Sequence, residues 1–504
     1  MREDSHVTMT LAINGGPHDF QVIGVNGRDR LNAPFCFEID LVSADPALGC
    51  PSLLQRSAWL QLARRDDDGH SVHGRIHQMR QLHKGQPLSV YRLLLMPALQ
   101  QLAGAPRRQV FNGLSVPEII TTLLQRHSWP DSEWRFERFF GLYPPREQCL
   151  QYDESDLHFL CRLCEEEGIS FRFEHAPDRH VLVFSDDPTG FPEWPAATAV
   201  DHLAERFSAR DCYSTHAGEH YTPPGTGVAP SRTDADNQKL WMPYGLDTSL
   251  ERTGQLRGRL LERVRSERRD IIGRSVQPWL RSGRVIRVEQ HPDPLFNDQW
   301  LLTGVQHAAW QLAPLRRCSS REVMHMLQAM ASASAVKGTP DLLALKPEGE
   351  KSPLAHYENR FQVIPWTMPF RPALNHPKVL ATGMQQATQL ADDPGRAGRV
   401  RIRYDWQTED SPQASHARVV SQLARQPPGT RLSVRFFEGD PDQPLVCGVL
   451  DEDAPTTQMP HTAGLSIDSQ KPLTLTSPKA TLNITEDGIH YSPLAATDAA
   501  INDA

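Results

Sequence analysis

The chain opens in short apolar runs set between polar turns. Val22-Ile23-Gly24-Val25, the segment from Phe35 to Val42 and Val90-Tyr91-Arg92-Leu93-Leu94-Leu95 are rich in β-branched and aromatic residues. Such runs predict the strands of a meander or small barrel. Asp66-Asp67-Asp68-Gly69 reads as a hairpin tip, because a cation site needs further carboxylates converging from elsewhere. The period then changes. Ser115-Val116-Pro117-Glu118 is a capping box with proline in the first turn, and Ile119, Ile120, Leu123 and Leu124 follow at helical spacing. A second helix is predicted from about Ser155 to Gly168, a residue free to take the left-handed conformation that ends helices. Ile169, Phe171 and Phe173 then alternate with Ser170, Arg172 and Glu174, and Val181-Leu182-Val183-Phe184 returns beyond a turn at Ala176-Pro177-Asp178, which predicts a hairpin.

Residues 190–280 are less distinctive. Within them Arg257, Arg263, Arg268 and Arg269 interleave with Leu260, Leu261 and Val264, which predicts an amphipathic helix with a solvated basic face. After Pro372, Arg399-Val400-Arg401-Ile402-Arg403-Tyr404-Asp405-Trp406 is a period-2 strand with cations on one face, and Leu432-Ser433-Val434-Arg435-Phe436 is another. The last fifty residues repeat. Leu465-Ser466-Ile467, Leu473-Thr474-Leu475, Leu482-Asn483-Ile484 and Ile489-His490-Tyr491 begin 8, 9 and 7 residues apart, with turn formers between them. Strands this short, with so little on one face, are marginal alone and need partners.

Composition narrows the class. The 504 residues carry 53 Lys and Arg against 61 Asp and Glu, a formal charge of −8, with 39% hydrophobic and 23% charged residues. This balance argues against nucleic acid as a partner and describes a soluble chain large enough for about three domains. The start, Met1-Arg2-Glu3-Asp4-Ser5-His6, has no apolar stretch behind it, so the expectation is no signal peptide and folding in the cytoplasm. Eight cysteines are too few for a disulfide scaffold. The Cys161/Cys164 pair lies on a helical apolar face and is read as packed thiols, since no second pair completes a tetrahedral metal site.

Candidate chemistry is sparse. No GxSxG elbow, Walker A loop or HExxH helix is present. His216-Ala217-Gly218-Glu219-His220 pairs two imidazoles at i, i+4, but its glycine and the following Tyr221-Thr222-Pro223-Pro224 make it a loop. Glu165-Glu166-Glu167 opposes the dipole of the helix it ends and is read as a solvated turn. The expectation is a protein with no catalytic residues, no metal and no cofactor.

A resemblance carries the reading further. The stretch from Tyr152 to His175, with Tyr152, Ser155, Asp156, Phe159, Arg162, Leu163, Glu166 and Gly168 at its signature positions, resembles the hub signature of VgrG proteins, the tip spikes of type VI secretion systems. Glu289-Gln290-His291-Pro292, Asn297 and Leu302-Thr303-Gly304-Val305-Gln306-His307 are similar to that family's second hub barrel, and Asn359-Arg360-Phe361 through Phe370-Arg371-Pro372 to its last hub segment. Phe437-Glu438-Gly439-Asp440-Pro441-Asp442-Gln443-Pro444 resembles the turn of its OB-like barrel, with Glu438, Gly439, Asp440, Pro441, Asp442 and Pro444 as signature residues. The link from Gln407 to Thr430 lacks the family's longer Trp-containing segment, so a shortened barrel is expected.

The resemblance implies a mainly β fold with an α+β hub of two β-barrels and helices at 1–372, a shortened OB-like barrel at 373–455, and a short intertwined trimeric β-helix needle with its tail at 456–504. Leu465, Ile467, Leu473, Leu475, Leu482, Ile484 and Ile489 would line the needle's trimer axis; the alternative is a loose β-rich tail packed on its own domain. The implied function is structural. A homotrimer would dock on the Hcp tube ring and baseplate components, bear a PAAR-repeat tip protein and effector or adaptor proteins, and meet the target membrane only transiently, moving from the cytoplasm into the target cell. Two rivals are the spike of a contractile phage or pyocin-like tail, and a tail-associated cell-wall hydrolase.

Overall fold

The computed structural model describes residues 7–16, 20–63, 70–198, 200, 202–206, 250–268, 270–333, 355–392, 398–408, 413–419, 426–450, 473–477, 480–485 and 488–493. The Asp66–Asp68 turn, the His216/Glu219/His220 group, Leu465 and Ile467 lie outside these. The chain divides into two compact units, Met1–Leu450 and Asp451–Ala504. Among the described residues, no helix is long and apolar enough to cross a membrane.

In the first unit β1 (Thr8–Ile13), β2 (Gln21–Arg30), β3 (Cys36–Ser43), the one-turn helix α1 (Cys50–Leu53), β4 (Ser57–Ala63), β5 (His70–His83) and β6 (Ser89–Met96) come first. A helical layer follows: β7 (Arg107–Phe111), α2 (Val116–Arg126), β8 (Trp134–Phe136), β9 (Cys149–Glu154), α3 (Asp156–Glu167), and the hairpin β10 (Ser170–Ala176) and β11 (Arg179–Ser185). The chain continues through β12 (Glu193–Thr198), β13 (His202–Arg206), α4 (Leu250–Arg268), β14 (Asp270–Ser275), β15 (Val285–Val288), β16 (Gln299–Gln311), α5 (Ser320–Ala333) and β17 (Ala355–Pro365).

Among the described residues most of the hub strands form one hydrogen-bonded sheet. Twelve strands make it up: ten run β1-β4-β5-β6-β3-β2-β16-β17-β14-β13, β15 branches from β16, and β12 pairs with β15. The cause is β16, thirteen residues long: from Trp300 to Gln311 it pairs with β17 along one edge and, from Gly304 to Trp310, with β2 along the other. Two cores persist on this sheet. One gathers Phe35, Phe37, Ile39, Leu60 and Leu93 with α2, α3 and the β10–β11 hairpin; the other gathers Ile271, Ile286, Trp300, Phe361 and Val363. Each has a glycine opposite a phenylalanine across a strand pair, Gly27 with Phe37 and Gly273 with Phe361. A Cβ at either glycine would fall inside the facing ring.

The sheet is followed by the closed barrel of this unit. β18 (Gln385–Asp392), β19 (Arg399–Tyr404), β20 (Ser415–Val419), β21 (Arg431–Phe436) and β22 (Pro444–Val449) close in the order β18-β19-β20-β22-β21. The period-2 reading of β19 holds: Val400, Ile402 and Tyr404 are buried with Leu432, Val434 and Val446. The segment between Trp406 and Leu432, read as a bare link, carries β20, which pairs with β19 and, in parallel, with β22. Ser-His-Ala-Arg-Val is too polar to announce a strand; its place between two neighbours supplies the hydrogen bonds that make it one.

The second unit contains β23 (Leu473–Ser477), β24 (Ala480–Thr485) and β25 (Gly488–Pro493), an antiparallel three-stranded sheet. Its register sets Leu473 opposite Ile484, Leu475 opposite Leu482, Leu482 opposite Tyr491 and Ile484 opposite Ile489. The apolar triplets therefore coincide across all three strands.

Candidate functional site

The signature around α3 begins as its sequence predicts. The Ser155 hydroxyl accepts from the His158 amide at 3.2 Å and starts the helix, and Gly168 ends it at φ 69° with its amide returning to Cys164 and Glu165 carbonyls. Leu163 and Phe159 are fully buried, Phe159 stacking on Phe111 at 5.4 Å. Asp156 is buried and accepts from Gln151 Nε2 and His127 Nε2, each at 2.7 Å. Cys161 and Cys164 are buried thiols on the same helix, and burial pushes both well up from the ordinary range.

Arg162 is the centre of the motif. Only 1% exposed, it makes a bidentate pair with Glu154 at 2.7 and 3.1 Å, reaches Glu166 at 2.7 Å and donates to the Leu150 carbonyl at 3.2 Å. Burial opposes its charge, but Glu166 and Glu154 more than offset that and hold the guanidinium charged. Glu166 also meets Arg146 at 3.1 Å. Burial alone would raise its pKa; Arg162, Arg146 and Lys378 bring it down to about 2.

The three consecutive glutamates are not a solvated turn. Glu165 and Glu167 are buried. Glu165 accepts from the His376 amide at 2.8 Å and from His376 Nδ1 at 2.7 Å, and Glu167 pairs with Arg146 at 2.8 Å and with Arg252. The arginines that answer them correct the reading of α4. Arg252, Arg259 and Arg263 face inward and are buried, while Leu261 is 52% exposed. Arg259 donates to the Glu167 carbonyl and to Asp186, both at 2.6 Å, and Arg263 donates to the carbonyls of Glu165 and, at 2.7 Å, Pro372. The Glu165 and Glu167 carbonyls lie at the negative end of α3, so cations offset both the helix dipole and the acidic run. Arg371 completes the cap through the carbonyls of Gly168 at 3.0 Å and Asp186 at 2.6 Å.

The barrel signature arrives at the same place. Glu438 and Gly439, at φ 52° and 76°, turn the chain so that Asp440 and Asp442 both engage Lys378. Lys378 is held charged well above its ordinary range, because Asp442, Asp440 and Glu166 outweigh its burial. Asp442 also accepts from the Leu150 amide. Pro441 lies within this turn, and Pro444 opens β22 opposite Phe436. Leu150 is thus clasped from both sides, its N–H by the barrel motif and its C=O by Arg162. Leu150 and Tyr152 are buried within the barrel's core cluster, Tyr152 lying 5.7 Å from the Phe436 ring and accepting from Gln385 at 3.0 Å. The two signatures, nearly 300 residues apart, form one joint.

Single partners in this joint carry no motif. His376 and Lys378 stand alone in the sequence, and Asp186, which accepts from the amides of Phe140 and Gly141, the Tyr143 hydroxyl and Arg259 at 2.6–2.9 Å, follows an ordinary strand. Every carboxylate named here has a cationic or N–H partner. Among the described residues, no group of three His, Cys, Asp or Glu is placed to hold a metal. The arrangement fastens a strand, a helix end, a linker and a barrel turn together.

Known proteins share this architecture. The profile of the phage tail baseplate hub (GPD) family matches residues 28–313. The type VI secretion system spike protein VgrG4b of Pseudomonas aeruginosa is 34% identical over 476 residues, 87% of this chain and 55% of that protein. VgrG5 of the same organism is 33% identical over 478 residues, 88% of this chain and 57% of that one. The chain spans about half the length of these curated relatives. A solved Escherichia coli component of the type VI secretion system, described as structurally similar to the T4 bacteriophage tail proteins gp27 and gp5, matches the fold with a TM-score of 0.63 at 24% identity, over 88% of this chain and 100% of that one. With a family profile running through more than half of its length and two spike proteins matching most of it, the chain belongs to the phage tail baseplate hub family, in its VgrG branch of type VI secretion spike proteins.

Proposed function

We propose that the chain is the structural spike at the tip of a type VI secretion tube, working as a homotrimer and without catalytic chemistry. The observation that carries the reading is the double clasp on Leu150, which ties the hub signature and the barrel signature into one joint. A device driven by the contraction of other proteins needs stiffness between its parts, and paired buried charges with fixed hydrogen bonds supply it. In this reading the twelve-stranded sheet meets the Hcp tube ring and the baseplate, and the five-stranded barrel is the OB-like module that precedes the needle in the chain.

Three copies of the β23–β25 sheet intertwine there, with Leu465, Ile467, Leu473, Leu475, Leu482, Ile484 and Ile489 toward the common axis. A PAAR-repeat protein caps the needle, and effectors or adaptors ride on it into the target cell through a membrane met only in passing. The matching of apolar positions across β23, β24 and β25 supports the inward assignment. A contractile phage or pyocin-like tail would use the same architecture.

The test is complementation. In a secreting strain stripped of its own spike genes, this chain should restore release of Hcp into the medium and be recovered there itself. Normal expression and folding with no Hcp release, beside rescue by a phage-tail assembly assay, would move the protein to the second machine.

A further inference from the structure

Three histidines meet where the β10–β11 hairpin lies against β5. His73 on β5 and His180 on β11 are buried, and their Nδ1 atoms stand 3.0 Å apart. Two imidazole nitrogens at that distance share one proton, so one ring donates and the other accepts. The backbone decides which. The Ala98 amide, at the start of the 3-10 turn Ala98–Leu102, donates to His180 Nε2 at 3.0 Å. His180 therefore carries its proton on Nδ1 and donates it to His73 Nδ1. His175 on β10 closes the group, its Nδ1 lying 3.2 Å from both the amide nitrogen and the carbonyl oxygen of His73. Phe35 packs edge-on against His175 and His180, with ring centroids 5.1 and 5.9 Å away.

At His73 and His180 this arrangement works only with neutral rings, whereas the His73 carbonyl beside His175 Nδ1 favours a proton there. A proton on His180 Nε2 would face the Ala98 N–H, and a proton on His73 Nδ1 would face that of His180; either breaks a hydrogen bond and brings positive charge into a buried site. The surroundings oppose protonation too. Arg75 on β5 acts on His73 and His180, and Arg281, before β15, acts on His175; Asp178 in the hairpin turn favours the charged form of His73. Residues 98–102 bring no titratable side chain. Burial first, and then neighbouring His73 and Arg75, push His180 down to about 3. Burial with Arg75 lowers His73, and burial with Arg281 and His180 keeps His175 well below the usual imidazole range.

We propose that this three-histidine clasp is an acid-released fastening, which holds the β10–β11 hairpin on β5 while the rings are neutral and lets it open when they take up protons. The direction follows from linkage. Above the ordinary imidazole value of ~6.5 neither the closed nor the open form binds protons at these rings, and the clasp is at full strength. Below it the open form protonates and the closed form does not, so each ring multiplies the open population by up to ~10 per pH unit until its own depressed value is reached. Opening would uncover Phe35, Phe173 and the far side of the signature helix's core.

Amide hydrogen exchange read by mass spectrometry on the full-length protein, with the intrinsic pH dependence of exchange removed, tests this. Peptides across residues 170–185 are expected to lose protection by ~100-fold or more per pH unit between pH 6.5 and 5, while those across β21 and β22 do not. His73→Gln/His180→Gln, neutral at every pH, should flatten that dependence by up to ~100-fold per unit. Hairpin protection in the wild type that stays level from pH 7.5 to 5, or that falls in step with the barrel strands, overturns the proposal whether or not the variant folds. A folded double variant that keeps the wild-type slope overturns it as well.

Discussion

Replacing Arg162 by methionine keeps the apolar stem that packs beside Phe159, whose ring lies 5.0 Å from the guanidinium carbon, and removes the charge and its five N–H donors. What remains is a Glu154 carboxylate 2% exposed, with His158 at 3.6 Å as its other ion-pair neighbour among the described residues, and a Leu150 carbonyl without its side-chain donor. Breaking a buried pair from one side destabilises by about 3–5 kcal/mol, because the surviving charge stays buried and uncompensated. Urea unfolding of the variant beside the wild type measures this. Arg162→Met/Glu154→Gln should recover most of the loss, since removing both charges leaves no orphan. Acid unfolding adds a signed check. Glu166 has its folded pKa near 2, below the ordinary 4.5, so it contributes stability that is complete above about pH 4.5 and disappears as pH falls toward 2. Without Arg162 that fall should be shallower. A single-variant loss below about 1 kcal/mol, or a double variant as unstable as the single, would refute the claim that Arg162 and Glu154 anchor the joint.

Other substitutions probe its remaining parts. Gly168→Ala forces a side chain into a left-handed position and sets a Cβ 3.2 Å from Arg259 and 3.3 Å from Arg371, so thermal unfolding should show a loss of at least about 1–2 kcal/mol. Lys378→Met leaves Asp440 and Asp442 without their shared cation and should lower urea stability by about 2 kcal/mol; equal stability would remove the barrel turn from the joint. Leu475→Asp would bring three carboxylates together on a dry trimer axis and should give monomers by sedimentation, whereas a surviving trimer places that residue elsewhere.

Local signals made part of this molecule legible from its residues. The Ser115 capping box appears with the Ser115 amide 2.7 Å from Glu118, Ser155 and Gly168 bound α3, and Phe171 pairs with Phe184 in the expected hairpin, because caps, left-handed ends and period-2 runs are written within a few residues. The α4 arginines were not legible. Their acceptors Asp186, Glu167 and Glu165 are 73 to 98 residues away, and amphipathicity alone assigns charge to the solvent side. The same distance problem hid the single sheet, since nothing near β2 foretells its pairing with β16. Both signatures of the joint could be seen as motifs, but their meeting at Leu150 is a property of the fold.

The trimeric spike is tested most directly by solution mass. Light scattering on the full-length chain, beside a version ending at Pro455, should give about three times 56.7 kDa for the first and a monomer for the second, as a closed threefold assembly held by the needle requires. A monomer at both lengths would contradict a spike assembled from this chain alone.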